Sequence, residues 1–356
     1  MKRYQGFSIV ELMIALLIGS FLVLGLVQVF TANKQGFRIQ EASSRIQENG
    51  RMAIEMLSRD VRAAGFMGCA NVLAGGSVNN IVDKTKYSSK GTALLEALDF
   101  DGTKSIEFFN NVTSTASTSL AKYGLTVGTA SGNIVSGTDA LVLKSAEPCE
   151  GGKVVSYDPT SAQFKIEDAS ACGLVQNEVV VVANCNGAEI FAITNNPQNG
   201  SPSKGQYTVT HANNLNTTNK LSGSYDKESY IYRYRTEVYY VAYNDRNEPA
   251  LYLMRLTSAA AASPFETLEL ASGIEDMQVA MGEDTDGDFV ANRYIDSGVN
   301  MDNVVAMKIS LLSRSDDGVV TTGSQTYYFN GSTHTASDKR LRSPFQATVA
   351  LRNRVR

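Results

Sequence analysis

A run of alternating aspartates between two apolar segments is the pattern in this sequence most typical of a metal site. Asp284, Asp286 and Asp288 stand at every second position of GEDTDGDFVANRYID, so their carboxylates could present oxygens to a Ca²⁺ ion. An EF-hand loop starting at Asp284 would need glycine and a carboxylate where this chain has Phe289 and Ile295. The sequence therefore predicts a looser calcium site or a solvated turn, and no other cofactor.

Residues that carry out catalysis are scarce. The two histidines, His211 and His334, are predicted at the surface of polar loops, and G-x-S-x-G, H-E-x-x-H, Walker and dinucleotide-binding motifs do not occur. The net charge of −4 differs from the basic balance typical of nucleic-acid binders. The aromatic residues around Arg233 and Arg235 are expected as cross-strand pairs of a sheet rather than as a platform for DNA or sugar. We predict a protein that is not an enzyme and does not bind nucleic acid directly.

The four cysteines, Cys69, Cys149, Cys172 and Cys185, are even in number and widely spaced, as is typical of disulfides formed in an oxidising compartment. No C-x-x-C pair occurs, which argues against zinc ribbons and thioredoxin-like redox sites. Of the three pairings that four cysteines allow, we favour Cys172 with Cys185, a short loop, which leaves Cys69 with Cys149. Buried free thiols are the alternative.

The N-terminal region contains an apolar segment long enough to cross a membrane. Phe7 to Phe30 comprises 24 residues with one formal charge, Glu11. A helix of that length spans about 36 Å, against about 30 Å for the bilayer core. Lys2 and Arg3 precede the segment, which favours a cytoplasmic N-terminus and places the rest of the chain outside the cytoplasmic membrane.

Two ordinary interpretations leave part of this pattern unexplained. A secretory signal would have an apolar region of about 7–15 residues and a small-x-small cleavage site, whereas this run is longer and no good site closes it. A plain signal anchor explains the length and the charges but not Glu11, because a carboxylate inside a lipid-facing helix costs a few kcal/mol. An acid at this position therefore indicates a function.

The residues Gly6-Phe7-Ser8-Ile9-Val10-Glu11, after a short basic leader, resemble the class III signal of type IV pilins. In that family a prepilin peptidase cuts after the glycine, here Gly6, and methylates the new N-terminal amine, here that of Phe7. The family's glutamate, here Glu11, pairs with the N-terminal amine of a neighbouring subunit, so that a charge-assisted bond offsets the cost of desolvation. The resemblance implies a leader at residues 1–6 and a transmembrane and filament-core helix at residues 7–30.

Residues 31–65 are predicted to continue the same helix in amphipathic form. Its apolar positions recur at spacings of three, four or seven and form one stripe: Ile39, Ala42, Ile46, Ala53, Leu57 and Val61. Gly65 is expected to cap the helix C-terminus. The pilin helix often carries a proline within its apolar half; this chain has none there, and Gly19 and Gly25 could loosen the helix instead.

Residues 66–356 are predicted to form a β-rich periplasmic head, so the fold class is α+β with the long helix packed on a pilin-like head. The predicted strands are 140–145, 178–183, 188–194, a hairpin over 230–256, a pair at 274–281 and 304–313, and late strands at 327–329 and 345–351. Residues 112–138 and 195–223 are rich in Ser, Thr, Asn and Gly and are predicted as surface loops or insertions.

The segment ENGRMAIEMLSRDVRAAGFMGC, Glu48 to Cys69, resembles the PilW group of minor pilins, where an R-D-V/I-R-x-A-G motif leads into G-C. The resemblance implies a structural subunit of a type IV pilus, in the complex that primes assembly and sits at or near the tip. It implies as partners other minor pilins, the major pilin, the prepilin peptidase, the inner-membrane assembly platform and a large tip adhesin. Twitching motility, adhesion and DNA uptake are the processes that such a pilus supports.

Two other functions are compatible with parts of the sequence. A minor pseudopilin of a type II secretion system would share the N-terminus, but the chain length and the RDVRAAG context argue against it. A membrane-anchored periplasmic enzyme or binding module would not need Gly6 or Glu11. The expected location is the inner membrane, with a cytoplasmic N-terminus and a periplasmic head, and afterwards the pilus.

Overall fold

A computed structural model of the chain describes residues 8–69, 77–100, 103–113, 118–199, 207–316, 318 and 320–353. One long helix is followed by a large β-rich region, which confirms the predicted α+β class. Gly6 and Phe7, and with them the predicted processing site, lie outside the described residues.

The long helix, α1, runs from Ile9 to Ala63 and continues without interruption through Gly19 and Gly25. At 55 residues it is about 82 Å long. Its end is set by Gly65, whose φ of +75° is an angle that glycine adopts readily, as the prediction of a C-terminal glycine requires. The Gly65 amide then donates to the Lys144 carbonyl at 2.9 Å, which ties the helix end to a strand of the head.

The two halves of α1 have different surroundings. The apolar stripe of the second half is buried as predicted at Ala42, Ile46, Ala53, Leu57 and Val61, whereas Ile39 is 37% exposed. The first half, up to Phe30, buries none of its large apolar side chains. Only the second half of α1 therefore contributes to the core of the head.

The described part of the head contains sixteen strands, two short helices and four 3₁₀ segments. The strands are β1 (Ser77–Asn80), β2 (Ile106–Phe109), β3 (Ala140–Asp158), β4 (Gln163–Ile166), β5 (Val179–Asn184), β6 (Gly187–Ala192), β7 (Tyr207–Thr210), β8 (Tyr230–Tyr243), β9 (Pro249–Leu256), β10 (Phe265–Ser272), β11 (Ile274–Glu283), β12 (Arg293–Ile295), β13 (Val304–Arg314), β14 (Gln325–Phe329), β15 (Ser332–Ala336) and β16 (Arg342–Ala350). The helices are α2 (Thr92–Ala97) and α3 (Thr118–Ala121), and the 3₁₀ segments are Lys84–Lys90, Thr103–Ser105, Pro197–Asn199 and Met301–Asn303.

A ten-stranded sheet is organised around two long antiparallel strands, β3 and β8. The first residues of β8 pair with β5, which leads on to β6 and β1, and its later residues pair with β9 and then β10. β3 pairs in the same way with β2 near its start and with β4 near its end, and β7 follows β4. β8 therefore joins two groups of strands, β5, β6 and β1 at one end and β9 and β10 at the other, and the buried apolar side chains of the described head fall into four clusters.

A second, four-stranded antiparallel sheet has the order β12-β11-β13-β16, and β14 and β15 form a separate hairpin. One face of this sheet packs on α1: Leu57, Met277, Ile309 and Val349 all belong to one buried cluster. The same cluster includes Tyr239 of β8. α1, the four-stranded sheet and one half of the large sheet therefore enclose a single core.

The structure confirms one of the elements predicted for the head and corrects several others. The 230–256 hairpin is confirmed, with Asn244 donating its amide to the Glu248 carbonyl at 2.9 Å across the turn. The predicted strand at 140–145 continues to Asp158, because β8 and then β4 supply partners on the two sides of an irregular stretch at 149–152. Residues 112–138 are not only a surface loop: Val112, Leu120, Tyr123, Leu125 and Ile134 are buried in one cluster. Likewise β7 lies within the predicted loop 195–223.

Gly50 of α1 provides a test of how tightly the helix packs. The ring of Phe345 on β16 lies so close to Gly50 that an added Cβ would overlap it. We expect Gly50→Ala to lower the free energy of unfolding by about 1–3 kcal/mol through overpacking. Gly36, also in α1, has no atom within 4 Å of an added Cβ, so Gly36→Ala should stabilise by about 0.5–1 kcal/mol.

Chemical denaturation of the two variants checks this expectation, because both change glycine to alanine within one helix. If Gly50→Ala stabilises the protein as Gly36→Ala does, the close packing of Phe345 on α1 is wrong. Adding Phe345→Ala to Gly50→Ala removes the overlap, so the two changes should be non-additive.

Candidate assembly site

The first half of α1 is an apolar surface without a partner in the described chain. Every large apolar side chain from Ile9 to Phe30 is more than half exposed. An 18-residue window of α1 has a mean hydropathy of 2.6, and the helix is long and apolar enough to cross a membrane. Exposure of so much contiguous apolar surface to water is unfavourable, so lipid or other subunits must cover it. The helix therefore supports membrane anchoring.

Glu11 is the charged residue within this apolar surface, and it lies at the first turn of α1. The Ser8 amide donates to Glu11 Oε2 at 3.1 Å, while Ser8 Oγ accepts from the Val10 amide at 3.3 Å. This reciprocal arrangement is a capping box, which satisfies free amides at the start of a helix. Glu11 Oε1 makes no hydrogen bond to a described residue and remains available to an external cation. Pairing with an amine of another subunit stays a prediction.

The predicted disulfide pairing is wrong. Cys69 is bonded to Cys185, and Cys149 is bonded to Cys172, with Cα atoms 4.5 Å and 4.8 Å apart. The described residues contain no free cysteine. The preference for a short loop failed because contacts between distant segments decide which cysteines meet.

Glycines bring each pair of cysteine-bearing segments together. Gly68, next to Cys69, lies against Ala183 at the end of β5, and so places Cys69 near the β5–β6 turn that carries Cys185. Gly151 lies directly on the backbone of Asp168, whose amide donates to the Gly151 carbonyl at 2.9 Å. This contact joins the irregular part of β3 that carries Cys149 to the loop that carries Cys172.

The aspartate loop has a defined geometry. Oxygens of Asp284, Asp286 and Asp288 lie within 4.8 Å of one another. The Asp284 carboxylate already accepts the amides of Asp286, Gly287 and Phe289 at 3.1, 2.7 and 2.8 Å. Desolvation is the largest single contribution to the pKa of Asp284 and raises it. The hydrogen bonds from these amides act in the opposite direction, and together they lower the pKa. Asp284 therefore shapes the loop, while Asp286 and Asp288 are exposed.

The surface prediction for His211 is wrong. His211 is fully buried after β7, and neither ring nitrogen has a hydrogen-bond partner among the described residues. Its ring lies 5.2 Å from the Phe191 ring and 5.5 Å from the Phe164 ring, measured between centroids. Burial among these rings disfavours the charged form and lowers the pKa of His211 to about 4. His334 has the predicted exposure, on β15 beside the Tyr327 ring.

The buried His211 should make folding sensitive to acid. The unfolded chain binds the imidazole proton near its ordinary pKa of 6.5, whereas the folded chain binds it only near pH 4. Stability from this residue is therefore complete above pH 6.5 and is lost as the pH falls toward 4, by about 2–3 kcal/mol at pH 4.5. In His211→Phe this loss should disappear.

The measurement is the free energy of unfolding of both proteins at pH 7 and pH 4.5. Buried carboxyls also contribute to the pH dependence. Burial raises the pKa values of Asp139 and Glu237 to about 7, and these groups favour the folded state at low pH. The contribution of His211 is therefore the difference between the pH dependences of the two proteins. Equal pH dependence in the two proteins would contradict the buried neutral state of His211.

The Tyr/Arg stretch belongs to β8, as the sheet interpretation predicted. Arg235 donates to Glu147 on the neighbouring strand β3, and Arg233 donates to the Thr257 carbonyl at 3.2 Å. Both guanidinium groups are thus hydrogen-bonded within the head.

One surface of the head was not predicted from the sequence. On the four-stranded sheet, the face opposite α1 carries small and polar side chains in rows across β11, β13 and β16: Ala280–Lys308–Thr348 and Gln278–Ser310–Gln346. Alternation along each strand marks these positions as outward-facing, but that signal does not distinguish a groove from an ordinary solvated face. The hairpin β14–β15 borders this face and forms a groove of about 320 Å³.

Comparisons with known proteins agree with the helix and the sheet just described. Residues 238–353 match the family model described as Type IV Pilus-assembly protein W, and residues 1–27 match the prokaryotic N-terminal methylation motif. No curated protein matches the chain. A solved type IV-like pilin from Thermus thermophilus is similar at 16% identity, and the match covers 52% of this chain and 87% of that chain. Its TM-score of 0.22 is too low to support a conclusion about the fold. The methylation motif at the start and the PilW match over the C-terminal third together support a type IV pilin of the PilW type.

Proposed function

We propose that the chain is a minor pilin, a structural subunit of the complex that primes assembly of a type IV pilus and lies at or near its tip. The observation that carries the proposal is the exposed apolar half of α1, with Glu11 at its first turn, joined to a half packed on the head. The matched family is structural rather than enzymatic, which agrees with the lack of catalytic motifs in the sequence.

The proposed maturation uses the N-terminal residues. A prepilin peptidase removes residues 1–6 by cutting after Gly6 and methylates the amine of Phe7; the match to the methylation motif supports this step. Residues 7–30 then form the membrane-spanning and filament-core segment, residues 31–65 its amphipathic continuation, and residues 66–356 the head. In the filament, Glu11 accepts a charge-assisted bond from the amine of a neighbouring subunit.

Before assembly, the proposed topology places the N-terminus in the cytoplasm and the head in the periplasm. After assembly, the protein is part of the pilus. Lys2 and Arg3 support this orientation, and the two disulfides fit the oxidising side of the membrane. The proposed partners are the other minor pilins, the major pilin, the prepilin peptidase, the inner-membrane assembly platform and a large tip adhesin. Through the pilus the protein supports twitching motility, adhesion and DNA uptake.

The test of the proposal is mass spectrometry of the mature N-terminus from cells with and without a prepilin peptidase. We expect a chain that begins at N-methylated Phe7 only when the peptidase is present. An intact Met1, or a cut beyond Phe30, would show that the protein does not enter the pilin pathway.

Two other functions remain as alternatives. A minor pseudopilin of a type II secretion system would be processed in the same way, so only co-purification with a pilus or with a secretion system separates them. The match of residues 238–353 to a pilus-assembly family favours the pilus. A membrane-anchored periplasmic enzyme or binding module would keep its activity without Glu11.

Calcium binding at Asp284, Asp286 and Asp288 stays a prediction. The short distances between their carboxylates support it. The three amides bonded to Asp284 weigh against it, because a cation would have to compete for the same oxygens.

A further inference from the structure

The groove on the outer face of the four-stranded sheet contains a single charged side chain among its described lining residues, the cation Lys308. We call it the Lys308 groove; its floor is formed by Gln278, Ala280, Lys308 and Ser310, and its wall by Tyr328 and Phe329. Lys308 is half-buried and makes no ion pair or hydrogen bond with a described residue. None of the described residues that line the groove is acidic. A partly desolvated ammonium without a counter-ion favours an anionic occupant.

The same sheet carries a preformed acidic protrusion at its end. We call residues 284–290 the acidic loop. The amides bonded to Asp284 hold its backbone, and Phe289 has a φ of +65°, which is uncommon for a residue with a large side chain. The conformation exposes Asp286 and Asp288 beside two apolar side chains, Phe289 and Val290, which are 41% and 62% exposed. The loop thus presents negative charge and an apolar tip on the surface.

We propose that the Lys308 groove of one copy receives the acidic loop of a second copy. Charge complementarity supports this choice, since Lys308 lacks an anion and Asp286 and Asp288 lack cations among the described residues. Phe289 and Val290 would pack against the aromatic wall. The loop cannot enter its own groove, because its two ends are tied by the pairing of β11 with β12.

The proposed contact is heterologous, because the groove and the loop are different parts of the head. β11 passes from the groove at Gln278 to the loop at Asp284, so successive copies would join head to tail along the strand direction. This contact goes beyond the proposed function and is independent of Glu11, since it involves only the head.

The test is photo-cross-linking of the full-length protein in detergent, with p-benzoylphenylalanine in place of Val290. We expect covalent dimers, with higher oligomers where the contact repeats, whose cross-links map to the peptide that contains Tyr328. Isotope labelling of one copy shows that the bond joins two chains. The same cross-linker at Tyr230, which is 43% exposed on β8, should not give this product. The dimer should persist in Glu11→Ala, so failure here is distinct from failure of the pilin proposal. No dimer, or a cross-link elsewhere, would overturn the inference.

A charge exchange makes the test specific. Lys308→Glu and the double variant Asp286→Lys/Asp288→Lys should each lower the dimer yield by about tenfold or more, because like charges would then meet. Mixing the two variants should restore the yield, which also shows that both are folded. Lys227→Glu, the same change at an exposed lysine outside the groove, should have no effect. Unchanged yield with Lys308→Glu, or no recovery on mixing, would show that the loop does not occupy this groove.

Discussion

Glu11→Ala should leave the protein in the membrane but remove it from the pilus. Without the carboxylate the apolar segment inserts at least as well, because an ionised acid in a membrane helix costs about 2.5–3.5 kcal/mol at its centre. In the filament, however, the amine of the neighbouring subunit would lose its counter-ion in an apolar surrounding. Removing one partner of a buried ion pair costs about 3–5 kcal/mol, which is about a 100-fold or greater loss in an association equilibrium.

The measurement is the amount of the protein in sheared pili relative to the amount in the membrane fraction. Glu11→Gln keeps the size and the helix-capping carbonyl but not the charge, so it separates the ion pair from the capping box seen at Ser8. Glu55→Ala is the matched control, since Glu55 is an exposed glutamate of the same helix without an ion partner among the described residues. If Glu11→Ala reaches the pilus normally, or disappears from the membrane, the ion-pair account is wrong.

Loss of the Cys69–Cys185 disulfide should have the largest effect on the stability of the head. This bond closes a loop with a sequence separation of 116, against 23 for Cys149–Cys172. In the chain-entropy description, a cross-link over the longer loop removes more freedom from the unfolded state. Replacing both cysteines of a pair by serine should then cost about 5 kcal/mol for the long loop and about 3 kcal/mol for the short one.

Chemical denaturation of Cys69→Ser/Cys185→Ser and Cys149→Ser/Cys172→Ser compares the two bonds, and each variant serves as the control for the other. Peptide mapping without reductant should recover the Cys69 peptide bonded to the Cys185 peptide in the unmodified protein. A Cys172–Cys185 product would restore the pairing that the sequence alone favoured and would contradict the structure. Equal destabilisation by the two double variants would contradict the entropic explanation.

Local sequence patterns were sufficient to predict the elements that depend only on neighbouring residues. The length of α1, its division into an exposed apolar half and an amphipathic half, and its end at Gly65 follow from hydropathy, from a spacing of three and four, and from one glycine. The 230–256 hairpin follows from alternation around a turn rich in Asn and Asp. The N-terminal motif around Glu11 is likewise contiguous, so no folded structure was needed to find it.

Properties that depend on contacts between distant residues were decided by the tertiary structure. The disulfide pairing was predicted wrongly because Gly68 and Gly151 bring together segments that are far apart in sequence. His211 occurs in a polar stretch, yet it is buried, because the rings of Phe164 and Phe191 on other strands cover it. The Lys308 groove is formed by three strands and a hairpin. Sequence alone therefore determined the helix, the fold class and the membrane-associated N-terminus, whereas burial, cross-links and surface shape required knowledge of which distant segments meet.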